Sequence, residues 1–349
     1  MSRLLTPRLV VRATVSLALI GFLLWRIDLE QAGRALRDAN YVYVIPALAL
    51  FGVAKLLVAA RWRLMIHRFS ADLPLFPLFG ILLVSNLANN VVPARIGDLI
   101  RVQVPAQRYE MSRARLAATV FATESLLDGI AFVTLGLIGL ALIDLPNFPT
   151  AVFWGMLGLV AGGLIAVVPL SHLKLEEDWE CRGVLGTLPH RVQHGIEESV
   201  PHFIDGLAVF KSLKHGSQAI GLSFAIWLVE VAVFALYGLA FGIHLSMAAW
   251  MLIMVAANVI SSVPLAPSNI GPYEVALTEL VKALGISAGL AGGYAIASHV
   301  FNIAWITFAG VVAMLALQLS PGDVFSLSGT ATRNAQPEAA SGREIPAAG

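Results

Sequence analysis

The chain has 349 residues, 58% of them hydrophobic and only 13% charged, with a mean hydropathy of +0.79 and a formal net charge of +1. Soluble domains carry about a quarter charged residues, so this chain cannot cover a water-facing surface and must be solvated by lipid. The near-zero charge leaves no electrostatic footprint for nucleic acid, and a single cysteine, Cys181, excludes an internal disulfide and a multi-cysteine metal site.

The first apolar run, Val10 to Leu24, follows Arg3, Arg8 and Arg12 and ends at Trp25-Arg26-Ile27-Asp28. No small-residue cleavage pattern follows, so it reads as a retained span whose basic flank stays in the cytoplasm. In all, six segments reach the length of about 20 residues that a crossing needs: 10–27, 41–60, 116–142, 150–170, 217–242 and 289–318. The polar stretch 171–215 reads as a cytoplasmic loop, and 320–349 as a disordered tail behind a single integral membrane domain, 1–319.

Two further apolar segments are broken. Residues 74–92 carry Ser85, Asn86, Asn89 and Asn90 before Pro93, and 248–266 run into Ser261, Ser262, Pro264 and Pro267. Irregular backbone at membrane depth is tolerated only when buried in protein or lining a cavity. Both read as re-entrant hairpins, each followed by a short helix near 97–109 and 272–284. Arg61, Arg63, His67 and Arg68 lie before the first hairpin, and Arg95, Arg101, Arg108, Arg113 and Arg115 lie after it, so it enters and leaves on the basic, cytoplasmic side. The expected fold is therefore an all-α polytopic membrane protein of eight membrane segments, six full spans plus two re-entrant hairpins, with both termini in the cytoplasm.

The hairpins resemble each other. Asn89-Asn90-Val91-Val92-Pro93-Ala94-Arg95-Ile96-Gly97-Asp98 and Ser261 to Glu274 each run from a polar pair through proline to Ile-Gly and an acid. A short helix and a long span follow in both cases. Entry from opposite sides makes this an inverted repeat, the arrangement of transporters that bind at the midplane.

Glu124 and Asp128, four apart, share a helix face, and Glu124 lies about 14 Å into the membrane from Arg115. An ionised carboxylate there costs at least about 3 kcal/mol unless paired or wet. The two acids read either as headgroup or proton-coupling groups facing a cavity, or as structural partners of an arginine or lysine. Arg95 and Arg101 flank Gly97, where a helix begins, and suit a phosphate; the positive-inside rule alone also accounts for them. Asp98 pairs with one of them or favours the helix start. Glu274, just after Gly271 and Pro272, reads as a helix cap or as the mirror partner of Asp98. His299 and Asn302 lie mid-span and would complete the cavity. Glu230 needs a partner, and Lys55 snorkels toward the cytoplasmic end with Arg61. His190 and His194 have metal-ligand spacing without a third ligand nearby. No Walker loop, zinc-protease motif or dinucleotide fingerprint is present, so no cofactor is expected.

The run Asn89–Pro93–Arg95–Gly97–Asp98–Arg101, followed by Thr123-Glu124-Ser125-Leu126-Leu127-Asp128-Gly129, resembles the lysylphosphatidylglycerol synthase transmembrane region. That region is the flippase-like domain of the multiple peptide resistance factor. The second motif of the family resembles Pro264-Leu265-Ala266-Pro267-Ser268-Asn269-Ile270-Gly271-Pro272-Tyr273-Glu274. The resemblance covers about residues 10–318. It implies a plasma (inner) membrane domain that moves lipids between leaflets. It also implies a membrane lipid as partner: an anionic phospholipid, a hopanoid or a polyprenyl-linked lipid. A homo-oligomer or a lipid-synthesising enzyme partner fits the same family. No soluble synthase domain follows the last span, so translocation is expected rather than synthesis, with a lipid transferase or an accessory subunit as the alternatives. Asp98 stands where the family often has Glu, and Pro267-Ser268-Asn269 where it often has glycines.

Overall fold

The computed structural model describes Arg34, residues 36–67, 73–91, 97–143, 190–262 and 266–319, and single positions between 154 and 172. The expected first span 10–27, most of the span 150–170, the outer loop, the loop residues 173–189, Pro93, Arg95, Pro264 and the tail lie outside the described residues, as do the side chains of Pro267, His190 and His194.

The described chain is helical throughout, with no strand. A 3-10 turn at Tyr41–Tyr43, capped by Asn40, leads into α1 (Val44–Ile66). Next come α2 (Leu75–Val91) and α3 (Gly97–Arg108). The long helix α4 (Arg113–Leu142) follows. Then come α5 (His190–Gly206), α6 (Leu213–Ala240), α7 (Met247–Ser262), α8 (Pro272–Ala283) and α9 (Ala288–Ala316). Four of these segments are long and apolar enough to cross a membrane: Tyr41–Ile66, α4, α6 and α9. Each coincides with an expected span. α2 and α7 are shorter apolar helices. Ile45, Phe76, Leu142, Phe308 and Leu315 each leave 70% or more of their surface outward, as lipid-facing positions do.

Local sequence sets the breaks. Ser112 and Ser212 cap α4 and α6, each hydroxyl accepting from a backbone N–H three residues on. Before α8, Gly271 takes φ +98°, a left-handed conformation that favours glycine. Pro272 then opens the helix, and the Glu274 carboxylate accepts from Gly271 N at 2.6 Å. Gly97 begins α3 where the chain passes so close to α2 that a Cβ would lie 2.0 Å from the Ser85 carbonyl.

α2 and α3 fold back on each other. Leu317 fixes the direction: Gly80, early in α2, packs against its side chain, and Arg108, last in α3, donates to its carbonyl at 2.8 Å. α7 and α8 likewise pack together, and the segment between them is held by Asn269 Nδ2 donating to Ser261 O at 2.9 Å. α1 and α6 run antiparallel, with Lys55 level with Glu230 and Arg61 level with Ser223. α2 packs on α9, and α7 on α4. An aromatic core of Trp227, Phe234, Tyr237, Phe241, Trp250 and Tyr294 joins α6, α7 and α9, while Trp62, Ile66, Leu78, Ile81 and Ile100 seal α1 against α2 and α3.

Candidate functional site: a polar cavity between two helical hairpins

A cavity of about 210 Å³ opens where the ends of α2 and α7 meet α1, α6 and α9. That is roughly the share of liquid volume taken by seven waters, enough for a headgroup and too small for a whole lipid. α1 contributes Phe51 and Lys55, α2 contributes Asn89 and Asn90, and α6 contributes Glu230 and Phe234. Asn258 and Ser261 come from α7, Ser268 and Asn269 from the turn before α8, and His299 and Asn302 from α9. Five asparagines thus share one wall space inside an apolar bundle.

The charged groups are internally matched. Lys55 Nζ lies 2.9 Å from Glu230 Oε1 and 4.4 Å from the centre of the Phe51 ring. Lys55 is not at the end of its helix as the sequence suggested: α1 continues to Ile66 and leaves it near the middle. Glu274 Oε1 sits 2.6 Å from His299 Nδ1, whose ring stacks on Tyr273 at 4.0 Å. Glu274 therefore caps α8 with one oxygen and orients the cavity imidazole with the other.

The amides are partly committed. Asn89 accepts from Gly97 N at 2.7 Å and donates to Asp98 Oδ1 at 3.1 Å, tying the cavity wall to the start of α3. Asn302 accepts from Tyr237 OH at 2.9 Å, and Asn258 donates to the Met254 carbonyl at 3.0 Å. Asn90 Nδ2 is buried and has no hydrogen-bond partner among the described residues. Ser268 Oγ donates to Asn90 O at 2.6 Å, so the turn before α8 touches the end of α2. Ser268 and Asn269 both take left-handed φ, +48° and +53°, an uncommon state for residues other than glycine.

Of the sequence-predicted residues, Asn89, Asn90, His299 and Asn302 line this cavity, and Gly97, Asp98, Gly271 and Glu274 support it from behind. Glu124, Asp128 and Arg101 do not line it. Arg101 is buried, forms an ion pair with Glu124 and lies 4.8 Å over the Trp62 ring. Asp128 takes both terminal nitrogens of Arg61, at 2.5 and 3.1 Å, and the Trp227 indole N–H at 2.8 Å. The two acids therefore serve arginines on two different helices. Arg61, grouped in the sequence with the cytoplasmic basic cluster, is 1% exposed. A charge of that depth needs its partner, and Asp128 is that partner. Beyond the predicted set, the polar lining also takes in Lys55, Glu230, Asn258, Ser261, Ser268 and Asn269. Asn258 was legible as an amide inside an apolar run.

Residues 9–310 match the lysylphosphatidylglycerol synthase TM region. The chain belongs to this family. It is also similar to a UPF0104 membrane protein of Methanothermobacter thermautotrophicus, with 24% identity over 322 residues, covering 88% of this chain and 94% of the relative. A second relative, the glycosyltransferase AglD of Haloferax volcanii, is 25% identical over 352 residues. That match takes in 90% of this chain but spans only 56% of AglD. With its apolar helices, the family member described here is a multi-pass helical membrane protein.

Proposed function

We propose that this chain takes the polar headgroup of a membrane lipid into the cavity between its hairpins and carries it between leaflets. The supporting observation is the cavity itself: amides, hydroxyls and a Lys55–Glu230 pair gathered near the middle of long apolar helices. An unsolvated headgroup amide or hydroxyl in hydrocarbon costs several kcal/mol. A wall of amides replaces the lost water bonds, and Asn90 Nδ2 is a donor waiting for one.

In this reading α2–α3 and α7–α8 are re-entrant. Seventeen residues of α2 extend about 25 Å, short of a hydrocarbon core of about 30 Å, before the chain turns back. The two halves are an inverted repeat. The packing favours this: α1 meets α6, and α2 lies on α9 as α7 lies on α4, so each hairpin leans on the span that follows the other. The contact between Ser268 and Asn90 is then where opposing gates touch. Both termini face the cytoplasm.

The test is lipid exchange in liposomes, following dithionite quenching of fluorescent phosphatidylglycerol, phosphatidylcholine and a glycosylated lipid. Wild type accelerates exchange of at least one of them, and Glu230→Gln and Asn302→Leu abolish it. Exchange equal to that of protein-free liposomes for every lipid, with and without an imposed ion gradient, would refute translocation. The Glu274–His299 pair also fits general acid–base chemistry, so the alternative is a membrane lipid transferase; turnover of a labelled lipid-linked donor in detergent would favour it.

A further inference from the structure

The ion pairs inside the bundle are not alike. Glu124 and Asp128 pair with arginines, and Glu230 pairs with Lys55. Glu274 pairs with His299, its Oε1 2.6 Å from Nδ1, and with no lysine or arginine among the described residues. Arginine keeps its charge throughout, whereas an imidazole gains or loses a proton between about pH 5 and 8. Glu274 and His299 are each 7% exposed, and His299 lines the central cavity. With Nδ1 held by the carboxylate, Nε2 is the ring nitrogen left to meet water there. The other groups that face the pair are already engaged. Tyr273 of α8 stacks on the ring at 4.0 Å. The Lys55–Glu230 pair of α1 and α6 cancels its own charge across the cavity, and Tyr237 of α6 is bonded to Asn302. The polar lining from α2 and α7 consists of amides and a hydroxyl.

The same pair holds the turn that carries the contact between the hairpins. The second Glu274 oxygen accepts from Gly271 N at 2.6 Å, a bond that fixes the end of the turn before α8. In that turn Ser268 and Asn269 sit at left-handed φ of +48° and +53°, and Ser268 reaches Asn90 O at the end of α2 at 2.6 Å. Residues in such a state persist only while their surroundings hold them there. We propose that the Glu274–His299 pair is a proton-binding site whose added proton loosens this turn, so that the contact between the two hairpins answers to pH. The proton enters at Nε2 from the cavity. It either stays there, as an imidazolium against the carboxylate, or Nδ1 passes its own proton on to Oε1 and leaves a neutral ring beside a neutral acid. The two forms hold the same number of protons and belong to one titration of the pair. Both reduce the negative charge facing Gly271 N and turn a charge-assisted hydrogen bond toward an ordinary one. The inference rests on the transport reading only for what the hairpin contact gates; the proton and the turn are measured without any lipid moving.

Hydrogen exchange of the full chain in detergent micelles tests it. The amides of Asn269 and Gly271 are followed from about pH 8 to about pH 5, after correction for the intrinsic exchange rate at each pH. Wild-type protection falls about ten-fold along one titration curve as the pH is lowered, the difference between a charged and a neutral acceptor, while the amides of α1 and α6 keep theirs. Glu274→Gln, which keeps an acceptor for Gly271 N without a charge, shows the low-pH exchange at every pH. His299→Gln leaves Glu274 to titrate alone and moves the midpoint by about one unit or more. Flat protection in the wild type, a titration that persists in Glu274→Gln, or an unmoved midpoint in His299→Gln would each overturn the proposal. The titration in a protein that exchanges no lipid would refute transport and leave the proton site standing.

Discussion

The buried pair of Arg61 and Asp128 gives a quantitative prediction. Arg61→Met leaves Asp128, itself 8% exposed, with the Trp227 indole N–H as its one hydrogen-bond donor among the described residues. Asp128→Leu leaves a guanidinium that is 1% exposed with Ser223 as its one partner among the described residues. Each single change strands a charge and costs about 3–5 kcal/mol. Changing both removes both charges. Ser223 keeps its bond to the Ala219 carbonyl, so the main residual loss is an unpaired Trp227 N–H, about 1–3 kcal/mol. At roughly 2 °C per kcal/mol for a chain of this size, each single variant should lower the apparent melting temperature by about 6–10 °C. The double variant should lower it by only about 2–6 °C. Thermal denaturation in a mild detergent, read by intrinsic fluorescence and by monodisperse recovery on size exclusion, gives all four corners of the cycle. A double variant that melts as low as the summed singles, or singles that melt with the wild type, would refute the assignment of this pair as mutually dependent.

Two further outcomes follow from close contacts. Gly97→Ala puts a methyl group 2.0 Å from the Ser85 carbonyl and 2.7 Å from Asn89 Oδ1; α3 must move off α2 at a cost of about 1–3 kcal/mol, and melting temperature and lipid exchange should fall together. Ser268→Ala removes the hydroxyl that joins the turn before α8 to the end of α2, worth about 0.5–1.5 kcal/mol; hydrogen exchange at Asn269 and Gly271 should quicken while the melting temperature moves little.

Much of the helical layout was legible because membrane solvation leaves a coarse imprint. Long apolar runs gave α1, α4, α6 and α9, and the Pro/Gly breaks with their following acids marked α3 and α8. Partnerships were not legible. Arg61 sits among Arg63, His67 and Arg68 in the sequence and obeys the same positive-inside rule; only the crossing of α1 with α4 and α6 distinguishes it as buried. Lys55 and Glu230 were each visible as isolated charges in apolar helices, but 175 residues separate them, and no local pattern links them. Glu124 and Asp128 share a helix face, which suggested a common cavity. Periodicity says which side of a helix a group occupies, not how many neighbours compete for it, and here two arginines from α1 and α3 divide the pair.

Between Ala122 and Leu127, α4 winds as a π-helix, and this wide turn holds one residue more than a regular α-helix would need there. Glu124 lies within it and Asp128 immediately after it. The stretch is thus a seam where chain length can change by one without ending the helix. Loss of the exposed Ser125 would restore an unbroken α-helix, because the wide turn absorbs the extra residue and leaves the helix on either side facing as it would without it. The face that carries Asp128 toward Arg61 would then be kept, as would the face of α4 before the seam. A relative whose alignment with this chain shows a one-residue gap at this point can therefore keep the same charge network, so a gap of a single position would mark the loss of the wide turn and not a different scaffold.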